Sequence, residues 1–360
     1  MCGRCIEGSV PDSRRGDDTG EDWREASEAI EIGRAFLARH PTVDIHAHPG
    51  RFFFDGETSG TSLVQHLGEP FIDRSLDEMR AGNISAVMFA TVADHVLLEL
   101  SDRGLRAVRD YRPGEAYLDH KRQMSLLAQI GSRAGIRLAA SSGDVLAARA
   151  ADQIAALLSI EGGDFIEDRL ERIEEAAAAG VRSITIIHYN INQIGDTQTE
   201  SDVHGGLTSF GRDVVTTMER TNVIVDLAHA SRSTCVDVAG LATRPFIMSH
   251  TNLKRGDQSH PRLVDLDMAR LVVDSGGLMG AVSAGFDQDG IDDYLDTICD
   301  MVDRLGIDHV AIGTDMDYTY KPVLEGYRQW PLLIGKLLGR GMAEMELAKI
   351  AGGNMLRLLG

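Results

Sequence analysis

The chain has 360 residues, and 36 Lys and Arg against 55 Asp and Glu give it a formal net charge of −19. Such acidity argues against a nucleic-acid partner or an anionic membrane surface, both of which attract clustered basic residues. The sequence contains no apolar run of about 18 residues and no signal-peptide core, and its four Cys are too few for a disulfide scaffold. These features predict a cytoplasmic globular protein.

The N-terminal part of the sequence predicts a short extension. Residues 1–20 are polar and rich in Gly and Asp, which is typical of a disordered leader. Cys2 and Cys5 form a C-x-x-C there, but the motif lacks a second ligand pair and a βαβ context, so a redox or zinc role is not expected. Residues 21–39 have apolar positions at helical spacing and predict an amphipathic helix.

From Pro41 onward, short apolar runs alternate with longer amphipathic segments. This alternation predicts parallel strands covered by helices, and eight such units over about 270 residues favour a (β/α)8 TIM-type barrel. No linker divides the chain, so residues 21–360 are predicted to form one barrel domain. The predicted strands are Val43–Ala47, Ser85–Ala90, Ile154–Ile160, Arg182–His188, Val223–Ala228, Pro245–Ser249, Leu278–Ser283 and Val310–Thr314, with Ile136–Ala140 as a weaker ninth.

Potential metal ligands stand at or just past the C-terminal ends of six of these eight strands. In a parallel barrel those ends meet on one face, where residues distant in sequence come together. Imidazole and carboxylate groups are the ligands of zinc and similar divalent metals. The sequence therefore predicts a metal centre built from His46, His48, Glu161, His188, His229, His250 and Asp315.

The spacing of these residues indicates two ions. His46 and His48 lie two apart on a strand and point to the same face, so together they can chelate one ion. His229 and His250 come from neighbouring strands and can hold a second. Glu161 lies between the two groups in strand order, and a carboxylate can bridge two metals.

The chain contains no H-E-x-x-H, Walker or G-x-G-x-x-G motif. It resembles the membrane (renal) dipeptidase family, zinc peptidases on the amidohydrolase-type barrel. The matching motifs run in the family's order from about residue 41 to the C-terminus: Ala155–Gly163, Leu207–Val215, Asp226–His229, Ser249–His250, His260–Arg262, Ile312–Asp317 and Gly352–Arg357.

The resemblance implies a role for each position. His46 and Asp315 would belong to metal one, Glu161 would bridge, and His229 and His250 would bind metal two. The metals are expected to be two divalent ions, most plausibly Zn²⁺.

The resemblance further implies the chemistry. A hydroxide bridging the metals would attack the amide carbonyl of a dipeptide, and Asp315 would pass its proton to the leaving amine. His188 would contact the substrate near the scissile bond, and Arg262 would hold the substrate carboxylate. Dimers are usual in the family, so a homodimer is a further expectation.

One departure from the family concerns the first strand. The usual H-x-D is here His46-Ala47-His48, so an imidazole replaces a carboxylate at metal one. We expect His48 to ligate metal one; alternatively Pro49 pulls the chain away and His48 is a loop residue. Tyr318 stands where the family often has Gly, and with the cluster Arg51–Phe54 it is expected to narrow the cleft, unless that cluster only anchors its loop.

Two other functions remain open from the sequence. The first is a different metal-dependent amidohydrolase, acting on N-acyl amino acids or cyclic amides, which the His48 departure favours. The second is a barrel that binds or assembles without catalysis, which the loss of a ligand would favour. A dipeptidase is the function expected here.

Overall fold

The computed structural model describes residues 20–54, 68–101 and 104–360. The predicted leader up to residue 19, with Cys2 and Cys5, lies outside the described residues. The amphipathic helix predicted over residues 21–39 is present as α1 (Gly20–Arg39). No helix among the described residues combines the length and apolar character needed to cross a membrane.

All eight predicted barrel strands are present, and they pair in parallel. The barrel order is β1, β2, β6, β7, β8, β9, β12 and β13, where β1 is Val43–Ala47, β2 Ala86–Val92, β6 Ile154–Glu161, β7 Val181–Thr185, β8 Ile224–Asp226, β9 Ile247–Met248, β12 Leu278–Ala281 and β13 Val310–Ile312.

The barrel closes between its first and last strands. Ala47 bridges Met316 in parallel, and the Asp315 amide donates to the His46 carbonyl at 2.9 Å. The weaker ninth strand, β5 (Ile136–Ala139), also forms and pairs with the first half of β6 outside the barrel path. Two smaller pairs lie outside the barrel: β3 (Leu98–Ser101) with β4 (Gly104–Ala107), and β10 (Asn252–Leu253) with β11 (Leu263–Val264).

Several strands end earlier than the apolar runs predicted. At these ends the backbone N–H groups donate to carboxylate side chains instead of to a neighbouring strand. Asp226 ends β8 and accepts the amides of Ala228 and Ser249 at 3.0 and 2.9 Å. Asp44 in β1 accepts the Thr314 amide at 3.0 Å, just past the end of β13. The segments that leave the strands this way carry the functional side chains.

Helices follow the strands and cover the barrel. They are α2 (Ile72–Ala81), α3 (Glu115–Gly131), α4 (Ser142–Ala150), α5 (Glu171–Ala178), α6 (Ser209–Arg220), α7 (Arg232–Leu241), α8 (Leu266–Asp274), α9 (Ile291–Leu305), α10 (Trp330–Gly339), α11 (Glu344–Ala348) and α12 (Asn354–Leu359). A π-helical turn, Lys349–Gly353, joins the last two.

The N-terminal helix α1 packs closely on α10. A Cβ on Gly33 would lie 1.8 Å from the Pro331 carbonyl oxygen, and one on Gly335 would lie 1.8 Å from that of Ala29. Only glycine therefore allows the two backbones to approach this closely. Phe36 and Leu37 are fully buried, so α1 is part of the packed barrel.

Candidate metal centre

The structure brings the predicted ligands together at the C-terminal end of the barrel. Each comes from a different part of the chain: β1 and its following turn, the last residue of β6, and the segments after β7, β8, β9 and β13. The five histidines and Glu161 are almost completely buried, with His48 at 0% and Glu161 at 1% exposed, whereas the Asp315 side chain is 16% exposed. Such burial of polar groups requires partners that satisfy them.

Glu161 lies at the centre of the cluster, and its two oxygens face different histidines. Oε1 lies 3.3 Å from the Nε2 atoms of both His229 and His250 and 3.5 Å from His46 Nε2. Oε2 lies 3.3 Å from His48 Nε2 and 3.5 Å from His188 Nε2. Both carboxylate oxygens are buried, and neither has a hydrogen-bond partner among the residues that the structure describes.

The first ligand group contains His46, His48 and Asp315. His48 Nε2 lies 3.2 Å from both Asp315 Oδ1 and His46 Nε2. The His48 Nδ1 atom donates to the Ala90 carbonyl at 3.0 Å, so Nε2 is the nitrogen that faces the carboxylates and that a metal would bind in exchange for its proton. His48 lies just past the end of β1, at the start of the turn Pro49–Arg51, and its side chain nevertheless points into the centre.

The second ligand group contains His229 and His250, whose Nε2 atoms lie 2.8 Å apart. Together with Glu161 they satisfy the spacing of a metal site, as do His46, His48 and Glu161. Imidazole nitrogens and unpartnered carboxylate oxygens at this spacing fit divalent metals such as zinc. Each group would hold one ion, and Glu161 would touch both.

The buried carboxylates of the centre stabilise a positive charge placed next to them, either on a protonated imidazole or on a metal ion. Burial lowers the pKa of His48, but the carboxylates of Asp315 and Glu161 outweigh it and raise that pKa to about 10. Burial raises the pKa of Glu161, yet His188 and His46 hold it well below its usual range. Burial lowers the pKa of His229 and of His46 well below the usual value, so these imidazoles stay neutral and keep a lone pair for a metal.

Two of the functional residues have a backbone conformation that L-residues rarely adopt. The φ angle is 68° at His229 and 54° at Asp315. Each such conformation costs on the order of 1–3 kcal/mol and persists where the surrounding structure holds it, typically at functional sites. In this conformation His229 Nε2 lies 3.3 Å from Glu161 Oε1, and Asp315 Oδ1 lies 3.2 Å from His48 Nε2.

Sequence reasoning missed Asp94, which stands two residues after the end of β2. Its Oδ1 lies 2.5 Å from His188 Nδ1, and its Oδ2 accepts the amides of Tyr189 and Asn190. Burial lowers the pKa of His188, but Asp94 and Glu161 raise it overall. The signal in the sequence was a carboxylate just past a strand end, the same signal that identified the other residues.

Arg262 lies against the second ligand group. It is 5% exposed, and its guanidinium donates to Gln198 Oε1 and to the His250 carbonyl, each at 3.0 Å. Arg262 therefore lies beside the centre, and its contact with a substrate carboxylate stays a prediction. In this arrangement it also holds the backbone of His250.

The aromatic cluster Arg51–Phe54 forms the wall behind the first ligand group. Phe53 is fully buried, and its ring centroid lies 5.5 Å from that of His48 and 5.2 Å from that of Tyr318. The Tyr318 ring itself lies 5.1 Å from His48. The Phe rings therefore anchor the turn after β1, while Tyr318 lines the centre.

The fold is similar to that of solved peptidase structures. The probable dipeptidase PvdM of Pseudomonas aeruginosa superposes with a TM-score of 0.77 at 18% identity, covering 93% of this chain and 98% of that one. A metallo peptidase of Rhodobacter sphaeroides, solved with a phosphinate mimic of the dipeptide L-Ala-D-Ala, gives a TM-score of 0.73 at 20% identity, covering 89% and 98%. At these identities the likeness shows the fold, a (β/α)8 barrel.

Sequence comparison adds curated relatives. Dipeptidase verJ of Clonostachys rogersoniana is 30% identical over 242 residues, which are 65% of this chain and 62% of that protein. Dipeptidase aclJ of Aspergillus oryzae is 31% identical over 218 residues, 58% of this chain and 51% of that protein. The chain thus spans less than two thirds of the length of these relatives. The family model of the membrane dipeptidases matches residues 33–360, nearly the whole described barrel, and the chain belongs to that family, peptidase family M19.

Proposed function

We propose that this protein is a metal-dependent dipeptidase that uses two divalent ions, with zinc as the metal. The observation that carries the proposal is the buried carboxylate of Glu161, which lies within 3.5 Å of imidazoles of both ligand groups and has no hydrogen-bond partner among the described residues. One carboxylate between two ligand groups is the arrangement expected of a binuclear hydrolase. When bound, the two ions would polarise the substrate carbonyl and make a water acidic enough to act near neutral pH.

The chain's own residues supply the remaining steps. Asp315 Oδ1 is buried, faces His48 and has no hydrogen-bond partner among the described residues. It can therefore accept a proton and return it to the leaving amine. His188, anchored by Asp94, presents Nε2 toward the centre and can donate to the carbonyl oxygen as negative charge develops there.

Arg262 would select the substrate. A guanidinium can form a paired hydrogen bond with a carboxylate, which Lys does poorly. The support for a small peptide substrate is the dipeptide mimic bound by the Rhodobacter sphaeroides relative, together with the dipeptidase names of the curated relatives. A free C-terminal carboxylate next to the scissile bond is therefore the expected recognition element.

A second candidate is a different metal-dependent amidohydrolase. His48 favours it, because an imidazole replaces the carboxylate usual in dipeptidases at this position, and Tyr318 lies beside it. Such an enzyme would hydrolyse N-acyl amino acids or cyclic amides with the same metals.

The test combines metal analysis with a substrate panel. Purified protein reconstituted with Zn²⁺ should contain two ions per chain and should hydrolyse dipeptides faster than N-acyl amino acids or cyclic amides. Preference for the latter substrates would identify the second candidate. One tightly bound ion with full activity would contradict the binuclear proposal.

A further inference from the structure

Ser249 lies between the two ligand groups, on the side away from Glu161. Its hydroxyl oxygen is 3.2 Å from His46 Nδ1, which belongs to the first group, and 2.9 Å from His250 Nδ1, which belongs to the second. The same oxygen is 2.5 Å from Asp226 Oδ2. Ser249 is 1% exposed, so these contacts account for its hydrogen bonding.

The partners of Asp226 decide where the Ser249 proton points. Its Oδ1 accepts the amides of Ala228 and Ser249, and its Oδ2 faces the hydroxyls of Thr185 and Ser249 at 2.6 and 2.5 Å. An ionised carboxylate accepts about four hydrogen bonds and donates none. The Ser249 hydroxyl therefore donates to Asp226.

The lone pairs that remain on the Ser249 oxygen then determine which ring nitrogen of two histidines carries the proton. A hydroxyl has one proton and two lone pairs, and its proton is already used. The lone pairs accept N–H groups from Nδ1 of His46 and Nδ1 of His250. Both imidazoles therefore carry their proton on Nδ1, which leaves the Nε2 lone pairs facing Glu161 at 3.5 and 3.3 Å.

We propose that Ser249, held by Asp226, is a positioning residue that sets the metal-binding tautomer of one histidine in each metal group. This inference rests on the proposed two-metal function. It makes Ser249 a second connection between the two metal groups, opposite Glu161. The two other histidine ligands do not use it: His48 is oriented by the Ala90 carbonyl, and His229 Nδ1 has no partner in the described structure.

The same contacts explain why His46, Asp226 and His250 lie close together, at a spacing that could also suit a metal ion. The donors around Asp226 fill its acceptor capacity, and the Ser249 oxygen occupies the position between the two Nδ1 atoms. This group therefore orients the ligands of the metal centre and is not a third metal site.

The test is Zn²⁺ affinity, measured on metal-free protein by competition with a chromophoric chelator. Ser249→Ala should weaken binding of both ions by about 10–100-fold, the usual effect of removing a group that orients a ligand. The matched control is Thr185→Val, which removes the other hydroxyl donor to Asp226 without touching a histidine and should stay within about threefold of wild type. The unfolding midpoints of the metal-free proteins should agree, which separates this role from a structural one.

A second variant, Asp226→Asn, tests the direction of the hydrogen bonds. Two backbone amides need the Asn oxygen, so its NH₂ must face Ser249 and take one of its lone pairs. The Ser249 proton then turns to one histidine and forces that ring's own proton to Nε2. We expect one ion to be weakened much more than the other.

Three results would overturn the inference: wild-type affinity for both ions in Ser249→Ala, an effect no larger than that of Thr185→Val, or loss of a single ion in Ser249→Ala. A wild-type protein that binds no Zn²⁺ would instead contradict the proposed function itself, and the inference with it.

Discussion

Asp94 and His188 form a buried pair in which Oδ1 of the carboxylate lies 2.5 Å from Nδ1 of the imidazole. The other carboxylate oxygen accepts the amides of Tyr189 and Asn190 at 3.1 and 3.0 Å. Because a carboxylate only accepts, the His188 proton at Nδ1 is directed to Asp94. The ring is thereby fixed with Nε2 pointing to Glu161, 3.5 Å away.

Asp94→Asn should lower kcat on dipeptides by on the order of 10²-fold, with little change in KM. The Asn oxygen is needed by the two backbone amides, so its NH₂ would face His188 Nδ1, and that nitrogen could no longer carry a proton. The ring would then be neutral, and its Nε2 would be a weaker donor to the carbonyl oxygen than in the protonated ring that Asp94 and Glu161 favour. Metal content should stay at the wild-type value, since His188 is not assigned as a ligand. Enzyme kinetics and elemental analysis on the same preparation measure both.

The control for Asp94 is Asp164→Asn, which alters a carboxyl that bonds Asn190 and makes no hydrogen bond to His188. Burial, with the charge of Asp94, raises the pKa of Asp164 to about 7, so its neutral form is already well populated near neutral pH. This change should lower kcat less than tenfold. Equal effects of the two substitutions would show that Asp94 does not act through His188.

Glu161→Gln should remove most bound metal. One of the two oxygens becomes an NH₂ group, which has no lone pair for a metal and would face one of the imidazole sets. We expect at most one ion per chain by elemental analysis, together with loss of dipeptide hydrolysis. Retention of two ions would exclude Glu161 as the bridging ligand.

His48→Ala should lose the ion of the first group and keep that of the second, because Ala offers no lone pair and His229 and His250 are untouched. His48→Asp restores a carboxylate and should retain two ions. Tyr318→Phe is the matched control, as it keeps the ring beside His48 and removes only the hydroxyl. If His48→Ala binds two ions, metal one is completed by another residue.

Arg262→Lys should lower kcat/KM for dipeptides by on the order of 10²-fold, because Lys cannot form the paired contact with a carboxylate. Dipeptide amides, which lack that carboxylate, should be poor substrates for the wild type and should be little affected by the substitution. Metal content must be measured in parallel, since Arg262 also donates to the His250 carbonyl. Equal wild-type turnover of acid and amide would exclude this role.

His120, which is not part of the metal centre, should make the free energy of unfolding depend on pH. It is 5% exposed and its ring stacks on Phe165 at 4.2 Å, and burial, aided by Lys121, lowers its pKa to about 4. The unfolded chain binds the proton more readily than the folded protein does. The stability that the neutral His120 ring contributes is therefore complete above about pH 6.5 and is lost as the pH falls toward 4.

His120→Phe keeps the stacked ring and removes the titration. Between pH 7.5 and pH 4.5, the metal-free variant should lose roughly 2 kcal/mol less free energy of unfolding than metal-free wild type. Urea unfolding at the two pH values measures this difference. An identical loss in both proteins would show that His120 is not the titrating group.

The order of the barrel strands and the side chains that end them could be predicted from local sequence. Continuous apolar runs alternating with amphipathic segments leave few architectures, and in a parallel barrel the strand ends must share one face. This is why His46, Glu161, His229 and Asp315 could be placed together before any coordinates. The strand β5 could also be predicted from its apolar residues. Its pairing with β6 outside the barrel could not, because that pairing depends on which strand edges remain free after the barrel has formed.

Only the tertiary structure decided how these side chains are oriented. That His48 turns inward despite Pro49 follows from the Ala90 carbonyl, which belongs to β2 and lies 42 residues away in the chain. Asp94 follows its strand as the other site residues do, and Ser249 lies in a matching motif, but a single carboxylate or hydroxyl after a strand has many uses and does not reveal its partner. Their importance comes from hydrogen bonds with His188, His46 and His250, and such long-range partners exist only once the barrel has closed.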